Sequence, residues 1–295
     1  MQITPERSRH IFGNPSRPKV IKEKQFDGFD KELKQIAKTH WKDVTEEDLW
    51  YYLHDLAYVD LQPELFNYLF PICLNFWYNS LMRNDSADRG DTEFHYSLYR
   101  GKILETMVTD KQKKEIYDYF YDGFLERIEK ERGFEYIGTN TPAYSWMYRF
   151  NSLGYIAPII EKIWLSWWEI NTPGKAVSAI MYASGLIYVK GENPIFEQLT
   201  PRKGGGGPYL TESDADIYDT GWLQENINFL NQMLSVKYIQ EKVQLAANQL
   251  SNEPEAVMAQ KVANDALIQS DIIQIRIEDL INNLSRPNRE DTWDD

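Results

Sequence analysis

Apolar residues recur three and four positions apart through much of the chain, the spacing of one face of an α-helix. Phe29, Leu33, Ile36 and Ala37 predict a short helix over 28–39. Thr45-Glu46-Glu47-Asp48 supplies a capping hydroxyl and first-turn acids, so a second helix starts there and continues through Leu49, Trp50, Leu53, Leu56 and Ala57. Pro63 suits the first position of a helix running to Met82, which Pro71 should kink or split. Residues 84–91 read as a polar loop. Over 92–108 the pattern is mixed: Phe94, Tyr96 and Leu98 alternate as in a strand, while Ile103, Leu104, Met107 and Val108 have helical spacing. A helix is expected over 110–131, with Ile116, Tyr119, Phe120, Gly123, Phe124 and Ile128 on one face and Gly133 as its left-handed cap.

The densest apolar stretch is 141–210. It holds Trp146, Trp164, Trp167 and Trp168 but no histidine or cysteine, so it reads as scaffold. Pro142 starts a helix that Gly154 breaks, Pro158 opens another over 159–170, and Thr172-Pro173 begins a third. That third segment is rich in small residues (Ala176, Ser178, Ala179, Ala183, Ser184, Gly185), and its end, 185–189, suits a strand equally well. A loop follows over 190–211. Beyond it Leu223, Ile227, Leu230 and Leu234 keep strict helical spacing, and Val262, Ala266, Ile273, Ile277, Leu280 and Leu284 form a heptad-like seam interrupted by Gln269. These predict one long antiparallel hairpin, 221–250 and 255–284, whose seam packs on the core or on another copy. Ile273, Ile277, Leu280 and Leu284 are the candidate self-association residues. The expected fold is mainly α. It has an extended basic arm (1–25), an aromatic-rich helical core (26–211) and an acidic C-terminal hairpin with a frayed tail (212–295).

Charge sharpens this division. The net charge is −13, which opposes direct nucleic-acid binding because that depends on basic groups displacing counterions. Residues 1–25 nevertheless carry six basic and two acidic residues, and 212–295 carry sixteen acidic and six basic. An acidic surface suits a partner that is itself basic, such as a DNA-binding protein. Cys73 is the only cysteine, which fits a reducing, cytoplasmic compartment. The N-terminal stretch MQITPERSRHIFGNP has no apolar signal-peptide core. The uncharged run 65–82 contains Pro71, Asn67, Asn75 and Asn79, so it reads as a buried helix and not as a membrane span.

Candidate chemistry is sparse. All four histidines lie at or before His95, and no nucleophile-elbow motif accompanies them. Asp91, Glu93 and His95 would share one face of a strand and could there hold a divalent ion, but the pattern is short and at a loop edge, and a solvated loop with one half-buried histidine fits it better. Pro173-Gly174-Lys175-Ala176 lacks the glycine and the Ser/Thr that a phosphate-binding loop requires, since Glu169 and Ala176 stand there. The chain has 45 acidic residues, too many for a carboxylate pair to stand out. The most unusual feature is Arg202-Lys203-Gly204-Gly205-Gly206-Gly207-Pro208. It reads as a hinge or partner-contacting loop, or as an anion cradle with Thr211 or Ser213 capping a helix beyond it. Paired aromatics such as Trp50-Tyr51-Tyr52 and Trp167-Trp168 cannot all face inward on a helix, so some should be exposed as interface anchors.

In its length of 295 residues, its acidic balance and the stretches LFPICLNFWYNSL (69–81) and GENPIF (191–196), the chain resembles the phage anti-defence proteins that inhibit Gabija, a bacterial nuclease–helicase defence system. The resemblance implies a non-enzymatic, cofactor-free inhibitor that assembles as several copies around the defence complex and blocks DNA binding or cleavage. It assigns no functional residues. Two other readings of the chain stand beside it: a structural or immunity-type interaction protein, and a small-anion-binding enzyme using the 202–213 loop.

Overall fold

The computed structural model describes residues 3–26, 28–83, 89–134, 142–145, 147, 150, 159–188, 192–195 and 223–285. The fold is mainly α, and no strand occurs among the described residues. None of the described helices is long and apolar enough to cross a membrane. The chain forms two compact units, Met1–Gly123 and Phe124–Asp295. The division therefore falls at 123/124 and not at the expected 25 and 211.

The first unit contains α1 (Pro5–Ile11), α2 (Asp30–Ile36), α3 (Glu46–Asp55), α4 (Pro63–Arg83), α5 (Arg89–Arg100) and α6 (Ile103–Thr106). The expected extended arm is corrected at its start, because residues 5–11 form a helix packed on α4. Thr4 caps it by accepting from the Arg7 amide at 3.2 Å, and Pro5 occupies its first turn. Ile3, Ile11 and Phe12 are buried, and the Phe12 ring meets Phe66 and Phe70 edge-on. Those three apolar side chains override the basic character of the segment, because burying them outweighs the solvation that an arm would keep.

α3 begins at the expected capping box, with Thr45 and Asp48 each bonding the other's backbone amide. Pro71 lies inside α4 without splitting it. Its neighbours Leu69, Phe70, Ile72, Cys73 and Leu74 are all buried, and their packing offsets a cost of about 3 kcal/mol for a helix-interior proline. The alternation at 94–98 is not a strand: residues 89–100 are helical, with Phe94 and Leu98 four apart and both buried.

α7 (Asp110–Glu129) contains the boundary between the units. Ile116, Tyr119, Phe120, Phe124 and Ile128 are all fully buried, as their spacing predicts. Gly133 takes the left-handed conformation, φ +70°, just beyond the end of α7.

The second unit is built on α9 (Pro173–Ile187), with α8 (Ile159–Trp167) before it and α10 (Gln224–Met233), α11 (Val236–Gln249), α12 (Ala256–Ile268) and α13 (Ser270–Leu284) after it. Every residue of α9 from Gly174 to Ile187 is buried. α11, α12 and α13 all pack on it, as does the 3₁₀ turn Ala143–Ser145. Its small side chains allow those approaches. Of the two readings open for 185–189, helix holds as far as residue 187, where it ends before Tyr188 turns extended.

The long hairpin is also corrected: each predicted arm is two helices. Ser235 accepts from the Tyr238 amide and caps α11, so the first arm breaks at 234–235. The second breaks at Gln269.

An aromatic cluster flanks α9. Trp164 and Trp168 stack at 4.9 Å, and Tyr182 of α9 presents its edge to Trp164, Trp167 and Trp168. The Trp164 indole donates to the Tyr238 hydroxyl at 3.0 Å, and the Trp167 indole donates to the Lys175 carbonyl at 3.2 Å.

Pro173-Gly174-Lys175 has its explanation at the start of α9. Thr172 accepts from the Lys175 amide and donates to Glu129 at 2.5 Å. The Lys175 ammonium lies 3.0 Å from the Asn171 amide oxygen and 3.5 Å from Glu169. A Cβ on Gly174 would overlap the Glu129 carbonyl. Glycine is therefore required by the contact between α9 and the end of α7, not by a phosphate. Gly174→Ala should destabilise the protein by about 1–3 kcal/mol, read as a lower urea midpoint with unchanged slope. A neutral result would show that the two backbones are not in contact.

Candidate functional site

The glycine-rich loop, Arg202, Lys203, Gly204, Gly205, Gly206 and Gly207, lies outside the described residues. The candidate self-association residues are buried by the chain itself. Ile273, Ile277, Leu280 and Leu284 are at most 5% exposed, on a helix that packs against α9, α10, α11 and α12. Their seam faces the protein's own core, so those side chains offer no surface to a second copy.

The Asp91–Glu93–His95 face is corrected as well. The segment is helical, and a period of 3.6 residues breaks the alternation on which a shared face depended. His95 is buried and accepts a hydrogen bond from the Trp77 indole at its Nε2, 3.0 Å away. Burial pulls its pKa down to about 3, so the ring is a neutral core histidine with that lone pair engaged. No group of three or more metal-ligating side chains occurs among the described residues.

Two arrangements emerge that the sequence reading did not single out. One is a polar clasp in the first unit. Asp55, at the end of α3, is fully buried and accepts from the Phe26 amide at 2.9 Å. Its other oxygen lies 3.3 Å from His54 Nδ1. Glu23 is 4% exposed. It accepts from the Gln62 amide at 2.7 Å and from the Gln25 side chain at 3.2 Å. Lys22 and Val20 add bonds to the Gln62 side chain. Burial, reinforced by the charge of Asp55, pushes Glu23 up to about 7. The two carboxylates thus tie residues 20–26, which have no regular secondary structure, to α3 and to the start of α4. Each bonds a main-chain amide, so the pair fastens the chain instead of facing a substrate.

The other is an apolar surface on the C-terminal helices. Val257, Leu267 and Ile268 of α12 are 85%, 59% and 78% exposed, and Ile275 of α13 is 57% exposed. Val257 and Ile268 are eleven positions apart, three helical turns, and so share a face. Beside Val257, a shallow groove runs over Gln260, Lys261 and Asn264 to Ala247, Asn248 and Ser251 of the α11 end. Lys261 and Tyr188 both donate to Asp265 at 2.6 Å, which ties the end of α9 to α12 beneath this face. The signal for this surface was present in the sequence as apolar residues out of register with the Val262–Ala266 seam.

No protein-family model, curated protein or solved structure matches the chain.

The clasp has a defined pH signature. Glu23 holds its proton more tightly folded than unfolded, so its contribution to stability is full below about pH 4.5 and is lost as pH rises through about 7. The stability of wild type relative to Glu23→Gln should fall by on the order of 2–3 kcal/mol between pH 4.5 and 8. Chemical denaturation at four pH values measures this, and a constant difference would refute the buried, proton-holding state of Glu23.

Proposed function

We propose that the chain is a non-enzymatic protein-binding inhibitor whose target is a DNA-binding nuclease complex of an anti-phage defence system. It docks through the exposed face of α12 and α13. The observation that carries this reading is that face. Four large apolar side chains project from helices whose other faces pack within the unit, and a patch of exposed apolar groups with a polar rim is a mark of protein-interaction sites.

Charge supports the kind of partner. The net charge is −13, and over 223–285 eight acidic residues outnumber four basic ones. Such a surface is drawn to a basic, DNA-binding one and competes with DNA for it. The whole-chain resemblance to the inhibitors of Gabija supplies the target class. Self-association, which the same resemblance implies, would have to use residues other than the Ile273–Leu284 seam.

The test combines the tagged full-length chain with the purified nuclease–helicase complex. Co-elution and loss of the complex's DNA binding are expected, both weakening as salt is raised. Val257→Asp and Ile268→Asp should each weaken the complex at least tenfold. Their stability should stay within about 0.5 kcal/mol, because both side chains are solvent-exposed. Failure to co-elute, or unchanged affinity in both variants, would overturn the reading. Loss of a homodimer in the variants, with binding to the nuclease intact, would reassign the face to a second copy.

A further inference from the structure

We infer that residues 20–26 are the open edge of a strand-addition site, which takes up an extended peptide of alternating acidic and apolar residues from a partner protein. Exposure alternates along this segment: Val20, Lys22, Lys24 and Phe26 face solvent, while Glu23 and Gln25 are buried. A period of two is that of an extended strand. No strand pairs with it among the described residues. The site lies wholly in the first unit and does not rest on the α12–α13 face of the second.

The main chain of this segment is only partly bonded. The Lys22 amide donates to the Gln62 side-chain oxygen at 2.7 Å, and the Gln62 side chain donates to the Val20 carbonyl at 2.8 Å. The Gln25 and Phe26 amides donate to Asp30 and Asp55, both at 2.9 Å. The amides of Ile21, Glu23 and Lys24 and the carbonyls from Ile21 to Gln25 make no hydrogen bond within the described residues. An extended segment with open main-chain donors and acceptors is what strand addition uses. The clasp of Glu23 and Asp55 holds the segment in this form before a partner arrives, which lowers the ordering cost of binding. Beside it runs a groove of about 550 Å³, with Lys22–Phe26 along one side and Tyr58, Val59, Asp60 and Gln62 along the other.

Charge and polarity select the peptide. Side chains opposite one another on paired strands share a face, so the added residues that meet Lys22 and Lys24 lie on the outward side and carry the opposite charge. Among the described residues Lys22 has no ion-pair partner. Lys24 pairs with Asp30 at 2.8 Å, yet its side chain stays 76% exposed, and an incoming carboxylate replaces such a pairing at little cost. Arg17 and Lys19, just upstream, are also exposed, and the one carboxylate between residues 13 and 26, Glu23, is buried. The surface here is therefore cationic in a chain whose net charge is −13. Glu23 also borders the groove, but its two oxygens are engaged by Gln62 and Gln25. Asp60 on the far wall opposes an unbroken acidic run, while Tyr58, Val59 and Phe26 favour apolar contacts, so acidic and apolar residues alternate. Lys22–Phe26 span about 13 Å of extended chain, enough to pair with about five residues.

The probe is a short peptide of alternating Glu and Val, titrated into the full-length protein by calorimetry and followed by amide hydrogen exchange. It should bind saturably and slow exchange at the Glu23 or Lys24 amide. Of two versions N-methylated on alternate residues, the one that loses its pairing edge should bind at least tenfold more weakly, as should a Lys–Val peptide. Lys22→Glu combined with Lys24→Gln should weaken the Glu–Val peptide at least tenfold. Both side chains are exposed, so the melting temperature should hardly change, which separates loss of the site from loss of the fold. Equal binding of the parent and both methylated peptides would mean contact without main-chain pairing and overturn the proposal. So would the absence of saturable binding, unchanged affinity in the double variant, or displacement of the peptide by single-stranded oligothymidylate, which would assign the cationic segment to nucleic acid instead.

Discussion

A helix buried on every side constrains the whole of the second unit. α9 has no solvent face: from Gly174 to Ile187 each residue is enclosed. Each flank must therefore be covered by an apolar surface from elsewhere, and no backbone group can rely on water. The tryptophan–tyrosine cluster covers one side, and the seams of α11, α12 and α13 cover others. This also accounts for the broken hairpin. α9 is 15 residues long, about 22 Å, whereas two uninterrupted arms of thirty residues would each run to about 45 Å. Half of their apolar seam would overshoot the helix they cover. Breaks at Ser235 and Gln269 shorten the helices and keep Ile227, Leu230, Val262, Ile273 and Ile277 all buried.

Buried acidic side chains follow a common rule in both units: each bonds a main-chain amide of a segment distant in sequence. In the first unit Glu23 and Asp55 bond the amides of Gln62 and Phe26. In the second, Glu255 accepts from the Gly133 amide at 2.5 Å and Glu131 accepts from Ala143 at 3.0 Å. Glu131 is paired with Arg127 at 3.2 Å, with both side chains 6% exposed. A carboxylate bonded to a backbone amide gives up less on burial than an isolated one, because charge-assisted bonds replace much of the lost hydration.

The candidate surfaces were only partly legible beforehand. Heptad spacing identified Ile273, Ile277, Leu280 and Leu284 as a packing seam, but spacing cannot say whether the partner is the same chain or another copy. The answer depends on α9, nearly 100 residues earlier, lying against them. Val257 and Ile268 were visible as apolar residues, yet their exposure follows only once the seam is known to face inward. Glu23 and Asp55 could not be picked out among 45 acidic residues, because what distinguishes them is burial brought about by contacts about 30 to 40 positions away.

By itself the sequence determined the helical class, the starts of most helices, and the buried faces of α7 and of the C-terminal helices, because capping residues and apolar periodicity are local properties of the chain. Tertiary structure decided what local rules leave open. It kept Pro71 inside one helix, turned the 94–98 alternation into helix, folded the start of the basic arm onto α4 and broke the hairpin in two places. For Pro71, the 94–98 alternation and the arm, packing against a distant segment exceeded a local preference of at most a few kcal/mol, whereas the break at 234–235 coincides with the local Ser235 cap.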